Sequence, residues 1–488
     1  MPSTPSSPQP PAPPSLRSVE RRSIDVVPPA ERTGTPRSQF TLWLGANMQI
    51  TAVVDGALAV VFGADAWWAI VGLLIGNVLG GIVMALHSAQ GPRLGLPQMI
   101  SSRAQFGVLG AALPLILVVI MYLGFAATGT LLSGQAINKM LGTETPAVGI
   151  VIFGLLTLLV AVFGYQWIHL LGRIATVTGL LGFAYLFVRL LAEHSVGELL
   201  APKEGFVLAT FLLAVSVSAG WQLVYGPYVA DYSRYLPADT PAAHTFWGTF
   251  LGSVIGSQIA MTFGALVASV PGNGFLTNQV GVLGALAGSA AMAFVIYLVI
   301  VIGKLAVNCL NAYGGFMTIL TTITGFTRRD RVSRGTRIAL IAAFVTISML
   351  IALLASSDFI ATFKNFILVL LMVFTPWSAI NLVDYYLVSK ERVDIPALYD
   401  REGRYGSWNV PALAVYLIGV AVQLPFLAQA MYTGPVTKML GGVDISWIVG
   451  LIVTGALYYP LARRQNLAPE RLIYPAEAAL NTEDLAGR

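Results

Sequence analysis

From residue 40 onward the chain alternates long apolar stretches with short polar connections. Twelve of these stretches are long enough to cross a bilayer, whose hydrocarbon core takes about 20 residues of helix. Numbered as spans 1 to 12, they cover approximately 40–62, 66–88, 108–138, 147–165, 169–192, 206–230, 244–269, 283–314, 335–356, 360–388, 408–430 and 445–463. One stretch breaks the pattern. Ser216 to Tyr235 reads SVSAGWQLVYGPYVADYSRY, with Gly220 loosening the backbone before Trp221, and Gly226 and Pro227 interrupting the hydrogen-bond ladder. Irregular backbone at membrane depth is tolerated only where protein or a water-filled cavity covers it. The pattern predicts a split helix lining a binding site, with a Pro-kinked helix and a packing tryptophan as the plainer reading.

An internal repeat orders the spans. Span 2 carries GLLIGNVLGG from Gly72 to Gly81 and span 7 carries GTFLGSVIGS from Gly248 to Ser257, with matching glycines at every fourth position and an offset of 176 residues. Glycines at i, i+4 and i+8 share one helix face and let a neighbouring backbone approach closely. The same offset sends Asp55 of span 1 onto Asp231 of span 6, and Thr128 and Gln135 of span 3 onto Lys304 and Asn311 of span 8. Five spans separate the copies, an odd number, so the two halves are inverted relative to one another. The predicted fold is an all-α polytopic membrane protein with a five-plus-five inverted repeat and two extra C-terminal helices. Its expected parts are a disordered cytoplasmic tail at 1–37, the first repeat at 38–192, the second at 193–390, spans 11 and 12 at 391–464, and a cytoplasmic tail at 465–488.

Composition agrees, since 56% hydrophobic and only 10% charged residues exclude an ordinary soluble globule. A formal charge of +5 would suit a nucleic-acid binder, but the Lys and Arg sit between apolar stretches, where the positive-inside bias accounts for them. Alternate connections collect Arg93 and Arg103, then Arg173, Arg234, Arg328 to Arg337, and Lys390 to Arg404. The opposite connections hold little beyond Lys139, Lys203 and Lys438. A multi-pass protein of the cell membrane with both termini cytoplasmic is expected. No signal-peptide core precedes Phe40, and the single Cys309 excludes an intramolecular disulfide.

Polar residues inside the spans supply the candidate chemistry. Asn47, Thr51 and Asp55 recur at i, i+4 and i+8 in span 1, and Lys304, Asn308 and Asn311 at i, i+4 and i+7 in span 8. Such groups are costly in hydrocarbon and normally face the bundle interior or a cavity, although asparagines serve equally to tie helices together. In span 3, Phe125 and Thr128 share a face beside Gly124 and Gly129. Opposite Trp221, Phe125 would sandwich a flat ring and leave the span 8 amides to read its polar edge, with core packing as the alternative. Asp231 and Arg234, three residues apart at the end of span 6, read either as a gate or as an exposed ion pair.

The run GPRLGLPQMISSRAQFG, Gly91 to Gly107, with PYVADYSRYLP, Pro227 to Pro237, resembles the purine-cytosine permease branch of the nucleobase:cation symporter-1 family. The likeness extends to Trp43 to Asn47, to NCLNAY at Asn308 to Tyr313, to NLVDYY at Asn381 to Tyr386, and to LYDREGRYGSWN after it. It implies a leucine-transporter type fold that imports a nucleobase or related heterocycle of the cytosine/purine type with Na+ or H+ by alternating access. Heterocycles of the allantoin, hydantoin or vitamin type are the alternative cargo.

Carried over by residue, the resemblance implies Trp221 and Phe125 as stacking platforms, Thr128 as the polar position of span 3, and Asn308 and Asn311 as edge-reading amides. Asn47, Gly220 and Gln222 on the two broken spans complete the candidate substrate site. Phe125 stands where relatives often have Trp, Thr128 where an amide is common, and Cys309 with Leu310 interrupts a more usual asparagine and proline run. The cation site of such folds lies between spans 1 and 8, which here carry Asp55 and Lys304. The two are expected to meet there, either coupling transport to H+ and dispensing with Na+, or fixing the spans as a static ion pair.

Other classes find little support. There is no HExxH motif, and none of His87, His169, His194 and His244 falls deep in a span beside a candidate nucleophile. No enzyme activity, metal site or cofactor is expected beyond the co-transported H+ or Na+. A channel is the weaker alternative, since nothing resembles a filter loop. The expected partners are a small heterocycle and the lipid bilayer, not nucleic acid.

Overall fold

The computed structural model describes residues 24–475 except 164, 271, 273, 328–332, 356–357 and 430–431. Span 1 folds as two helices, Pro36–Asn47 and Ile50–Val61, that meet at 60°, and span 6 as Leu208–Leu223 and Gly226–Ser233, bent by 40°. The offset that aligns the glycine runs also aligns these breaks, because Asn47 and Ile50 map onto Leu223 and Gly226. Different residues make each break. In span 6, Gly226 and Pro227 start the second half, and proline lacks the N–H that a continuous helix would use. In span 1 there is no proline. Side chains instead take up carbonyls freed at the end of the first half, with Asn47 Nδ2 donating to Trp43 O (2.7 Å) and Gln49 Nε2 to Ala46 O (2.8 Å).

Seven further helices are long and apolar enough to cross a membrane: Ala66–Leu94, Ala112–Leu141, Leu171–Glu193, Ala242–Ser269, Ala290–Thr327, Gly335–Leu354 and Phe359–Val388. With the two bent pairs, nine spans meet that test among the described residues. Pro146–Phe163, Val410–Ala421 and Ser446–Gln465 occupy spans 4, 11 and 12. Packing follows the repeat. The first half of span 6 lies on span 2 as span 1 lies on span 7, while span 8 lies on span 3, with spans 4 and 9 flanking that pair. The glycine runs make the close contacts. A Cβ on Gly72 or Gly80 would sit 2.8 Å from Phe211 O and 2.6 Å from Ala219 O, and one on Gly248 or Gly256 would sit 2.7 Å from Pro36 O and Leu44 O.

Three expectations are corrected here. Gly220 does not mark the break, which falls at Val224 and Tyr225; it stays helical, where a Cβ would lie 3.2 Å from Ile367 Cγ2. Residues 24–35, expected within a disordered tail, pack on the protein: Ile24 and Val27 are buried, Val27 N–H donates to Gly95 O (2.9 Å), and Arg32 Nη1 to Pro92 O (2.6 Å). The stretch after Gln465 likewise returns to the body, with Ile473 N–H donating to Val393 O (3.0 Å) and Tyr474 hydroxyl to Arg93 O. The remainder of the two expected tails, 1–23 and 476–488, lies outside the described residues.

The runs that carry the family resemblance converge at the arginine-rich end. Asp231 Oδ1 accepts from Gln98 N–H (2.8 Å), and Asp384 Oδ2 from Gln105 Nε2 (2.9 Å). Arg103 donates to Leu398 O (3.1 Å) and Thr321 O (2.9 Å), while Asn409 Nδ2 donates to Gln105 O (2.8 Å). The connection between spans 2 and 3 is thereby tied to spans 6, 8, 10 and 11.

Candidate functional site

The two breaks, span 3 and span 8 enclose a buried polar and aromatic cluster. Trp221 follows three small or polar residues in the first half of span 6 and is nearly inaccessible; its indole Nε1 donates to Asn47 Oδ1 at 2.6 Å. Asn47 Oδ1 also accepts from the Tyr225 hydroxyl (3.3 Å), and its Nδ2 donates to Ser253 Oγ (3.1 Å) as well as to Trp43 O. All the bonding capacity of Asn47 is therefore used in joining spans 1, 6 and 7. Gln222 is equally committed. Its Nε2 donates to Asn77 Oδ1 (3.0 Å) and Ser257 Oγ (2.7 Å), and its Oε1 accepts from Ser253 Oγ (2.6 Å). Expected as substrate ligands, Asn47 and Gln222 instead bind the helices packed against the breaks.

Phe125 and Trp221 do come together, with ring centroids 5.8 Å apart. Their planes cross at 87°, edge to face, so the parallel slot expected between them is absent; Phe366 also packs on Phe125, with ring centroids 5.3 Å apart. Thr128 returns its hydroxyl to Gly124 O (2.9 Å) in its own helix. Asn308 Nδ2 donates to Ala126 O (2.9 Å) and Thr130 Oγ1 (3.1 Å), crossing to span 3 just beside Phe125. These bonds fix its amide orientation and leave the buried Asn308 Oδ1 without a donor, and Asn311 Nδ2, also buried, has no acceptor. Native proteins rarely orphan buried polar atoms, so an unused acceptor and donor in one site call for a partner.

The Lys304 ammonium is fully buried and does not meet Asp55. Its Nζ donates to Gln49 Oε1 and Thr51 Oγ1, both at 2.8 Å, at the start of the second half of span 1. Asp55 lies one turn further along that half, beyond the reach of the ammonium, and neither carboxylate oxygen has a hydrogen-bond partner. The expected ion pair is thus replaced by a lysine seated on two neutral oxygens and a separate, bare carboxylate. Gln49 was missed in the sequence because it lies off the face shared by Asn47, Thr51 and Asp55; the break turns it toward Lys304.

At the end of span 6, the Asp231 carboxylate accepts from Gln98 N–H. Arg234 donates through Nε to the Asp231 carbonyl (3.2 Å) and through Nη2 to the Tyr235 hydroxyl (3.3 Å), and its guanidinium lies over the Tyr235 ring. Asp231 thus joins the connection between spans 2 and 3 to span 6, and Arg234, whose Nη1 also donates to Asp25 O (3.5 Å), joins the N-terminal segment to it.

Comparison with known proteins identifies this architecture. Residues 26–450 match the family model for permeases for cytosine/purines, uracil, thiamine and allantoin. A Bacillus subtilis (strain 168) protein described as a candidate purine-cytosine permease, YxlA, is 39% identical over 91% of this chain and 96% of its own length. The purine-cytosine permease fcyB of Emericella nidulans is 25% identical over 90% of this chain and 88% of its own. Among solved structures, Mhp1 superimposes in its inward-facing conformation with a TM-score of 0.76, covering 96% of this chain and 98% of that one at 21% identity. Its closed form, described as a nucleobase-cation-symport-1 family transporter with bromovinylhydantoin bound, gives 0.73 over 96% of this chain and all of that one, also at 21% identity. These structural likenesses establish the fold, a leucine-transporter type arrangement, and the sequence matches establish the family. The chain belongs to the family of permeases for cytosine/purines, uracil, thiamine and allantoin.

Proposed function

We propose that the protein imports a flat nitrogenous heterocycle of the nucleobase type across the cell membrane by alternating access, with both termini cytoplasmic and residues 38–192 and 193–390 moving as inverted repeats. The observation that carries this reading is the orphaned pair in span 8. Asn308 Oδ1 offers an acceptor and Asn311 Nδ2 a donor, on the helix that Asn308 Nδ2 ties to span 3 at Ala126, next in the chain to Phe125. A heterocycle edge presenting one N–H and one C=O satisfies both, and its faces suit aromatic walls. Counterflow of radiolabelled cytosine in proteoliposomes, competed by adenine, uracil, allantoin and hydantoin, tests it. Saturable exchange blocked by at least one of these supports the reading; exchange of none of them contradicts it.

The coupling ion follows from Lys304. A lysine held by two neutral oxygens at a helix break fills a position suited to a small monovalent cation. A second cation about 4 Å away would face a repulsion of about 4 kcal/mol at an effective dielectric constant of about 20. We therefore assign transport to H+ coupling, or to Na+-independent movement, with Lys304 of span 8 as the coupling group and Asp55 of span 1 as a second buried ionisable group.

A further inference from the structure

Beside the break of span 1 lies a cavity of about 30 Å³, walled by Met48, Gln49, Gly179, Phe183, Gly303 and Lys304 together with aliphatic side chains of spans 5 and 8. None of Trp221, Phe125, Asn308 and Asn311 lines it, so it is separate from the candidate substrate site. A water needs roughly 10–15 Å³ of such volume and two to four polar partners, so about two waters fit. Partners are present: the Lys304 ammonium, the Gln49 side chain, and the Met48 carbonyl, which comes within 3.1 Å of where a Cβ on Gly179 would stand. Lysine carries three N–H donors, and protein oxygens engage two of them here.

Among the described residues no titratable side chain pairs with the ammonium. Span 1 presents Gln49 and Thr51, span 3 the bare Gly129, and span 5 glycine and apolar side chains. Among the described residues no carboxylate lies within 4.0 Å of it. The cavity is lined by Lys304 and by none of the candidate substrate residues, so a proton passing from the ammonium into it does not pass them.

We infer that this cavity is a water chamber through which Lys304 exchanges its proton. The inference rests on the coupling role assigned to Lys304 above. In the step, an N–H bond of the ammonium breaks, its electron pair remains on nitrogen, and a chamber water takes the proton as hydronium; the reverse reloads the lysine. Substrate and proton then approach span 1 by separate ways, the first along the aromatic site and the second from the side of spans 5 and 8.

Gly303 provides the test. No atom lies within 4 Å of a Cβ built on it and it lines the chamber, so Gly303→Leu starts a side chain at the chamber wall in open space. Gly172, on span 5 and outside the chamber, has equally open surroundings, and Gly172→Leu is the control. Full-length protein in detergent is subjected to an alkaline pH jump, and the released proton is followed with a pH dye; Lys304→Met identifies the part due to the lysine. The Lys304-dependent release is expected to persist in Gly172→Leu and to slow about tenfold or more in Gly303→Leu, equivalent to a barrier about 1.4 kcal/mol higher. If the leucine variant does not fold, Gly303→Met fills the chamber with a more adaptable chain. Release at the wild-type rate in a folded, filled variant overturns the inference, as does the absence of any Lys304-dependent proton. No substrate is used, so a failure of the heterocycle reading shows in the counterflow assay and not here.

Discussion

Trp221 joins the two halves of the site, because one ring packs edge-on to Phe125 while its N–H holds Asn47 at 2.6 Å. Trp221→Phe keeps the aromatic wall and loses that hydrogen bond, a cost of about 1 kcal/mol. Heterocycle binding is expected to weaken several-fold in this variant and to vanish in Trp221→Ala, measured by equilibrium binding; wild-type affinity in the alanine variant contradicts the assignment. Asn308 and Asn311 separate in the same way. Asn308→Asp sets a carboxylate oxygen against Ala126 O, where Nδ2 now donates at 2.9 Å, and a melting curve should show a lower transition temperature. Asn311→Asp removes a donor that no protein group uses, so substrate preference should shift while the melting temperature holds. The sequence places these residues on faces but not on partners. Ser253, Ser257 and Asn77, which consume Asn47 and Gln222, lie far away in the chain and carry no pattern that points to the breaks.

Helix-to-helix contacts were the most legible part of the chain. Period and offset alone place the glycines of spans 2 and 7 on one face, and each run meets the first half of a broken span, where backbone oxygens leave no room for a side chain. In Gly76→Leu the new atoms meet Val215 O and Ser218 Oγ, and in Gly252→Leu they meet Phe40 O. Overpacking of this kind costs typically about 1–3 kcal/mol, so both variants should melt earlier or fail to reach the membrane, while Gly172→Leu is tolerated. Equal melting of all three would refute the packing assignment. The break in span 1 was less legible, since no proline announces it and side-chain bonds from Asn47 and Gln49 hold it. Because a break rotates everything after it, the sequence pattern joined Lys304 to Asp55, where the fold joins it to Gln49 and Thr51.

In the proposed alternating access the two inverted repeats, 38–192 and 193–390, move relative to one another, and the arginine-rich end is where they are tied. Asp231 to Gln98 and Arg103 to Thr321 O are links of that tie. Asp231→Ala removes the acceptor of a buried backbone N–H, and the expected result is faster substrate leak from loaded proteoliposomes with binding retained; unchanged leak would make Asp231 a surface residue with no gating part. Coupling is the property of the assembled transporter on which the account stands, because it needs the broken span, the seated lysine and the substrate site together. Cytosine uptake into proteoliposomes under separately imposed Na+ and H+ gradients, for wild type and Lys304→Ala, measures it directly. The account predicts that an inward H+ gradient drives accumulation without Na+ and that Lys304→Ala abolishes this response while counterflow continues; accumulation that requires Na+, ignores the pH gradient and survives the alanine substitution would contradict it.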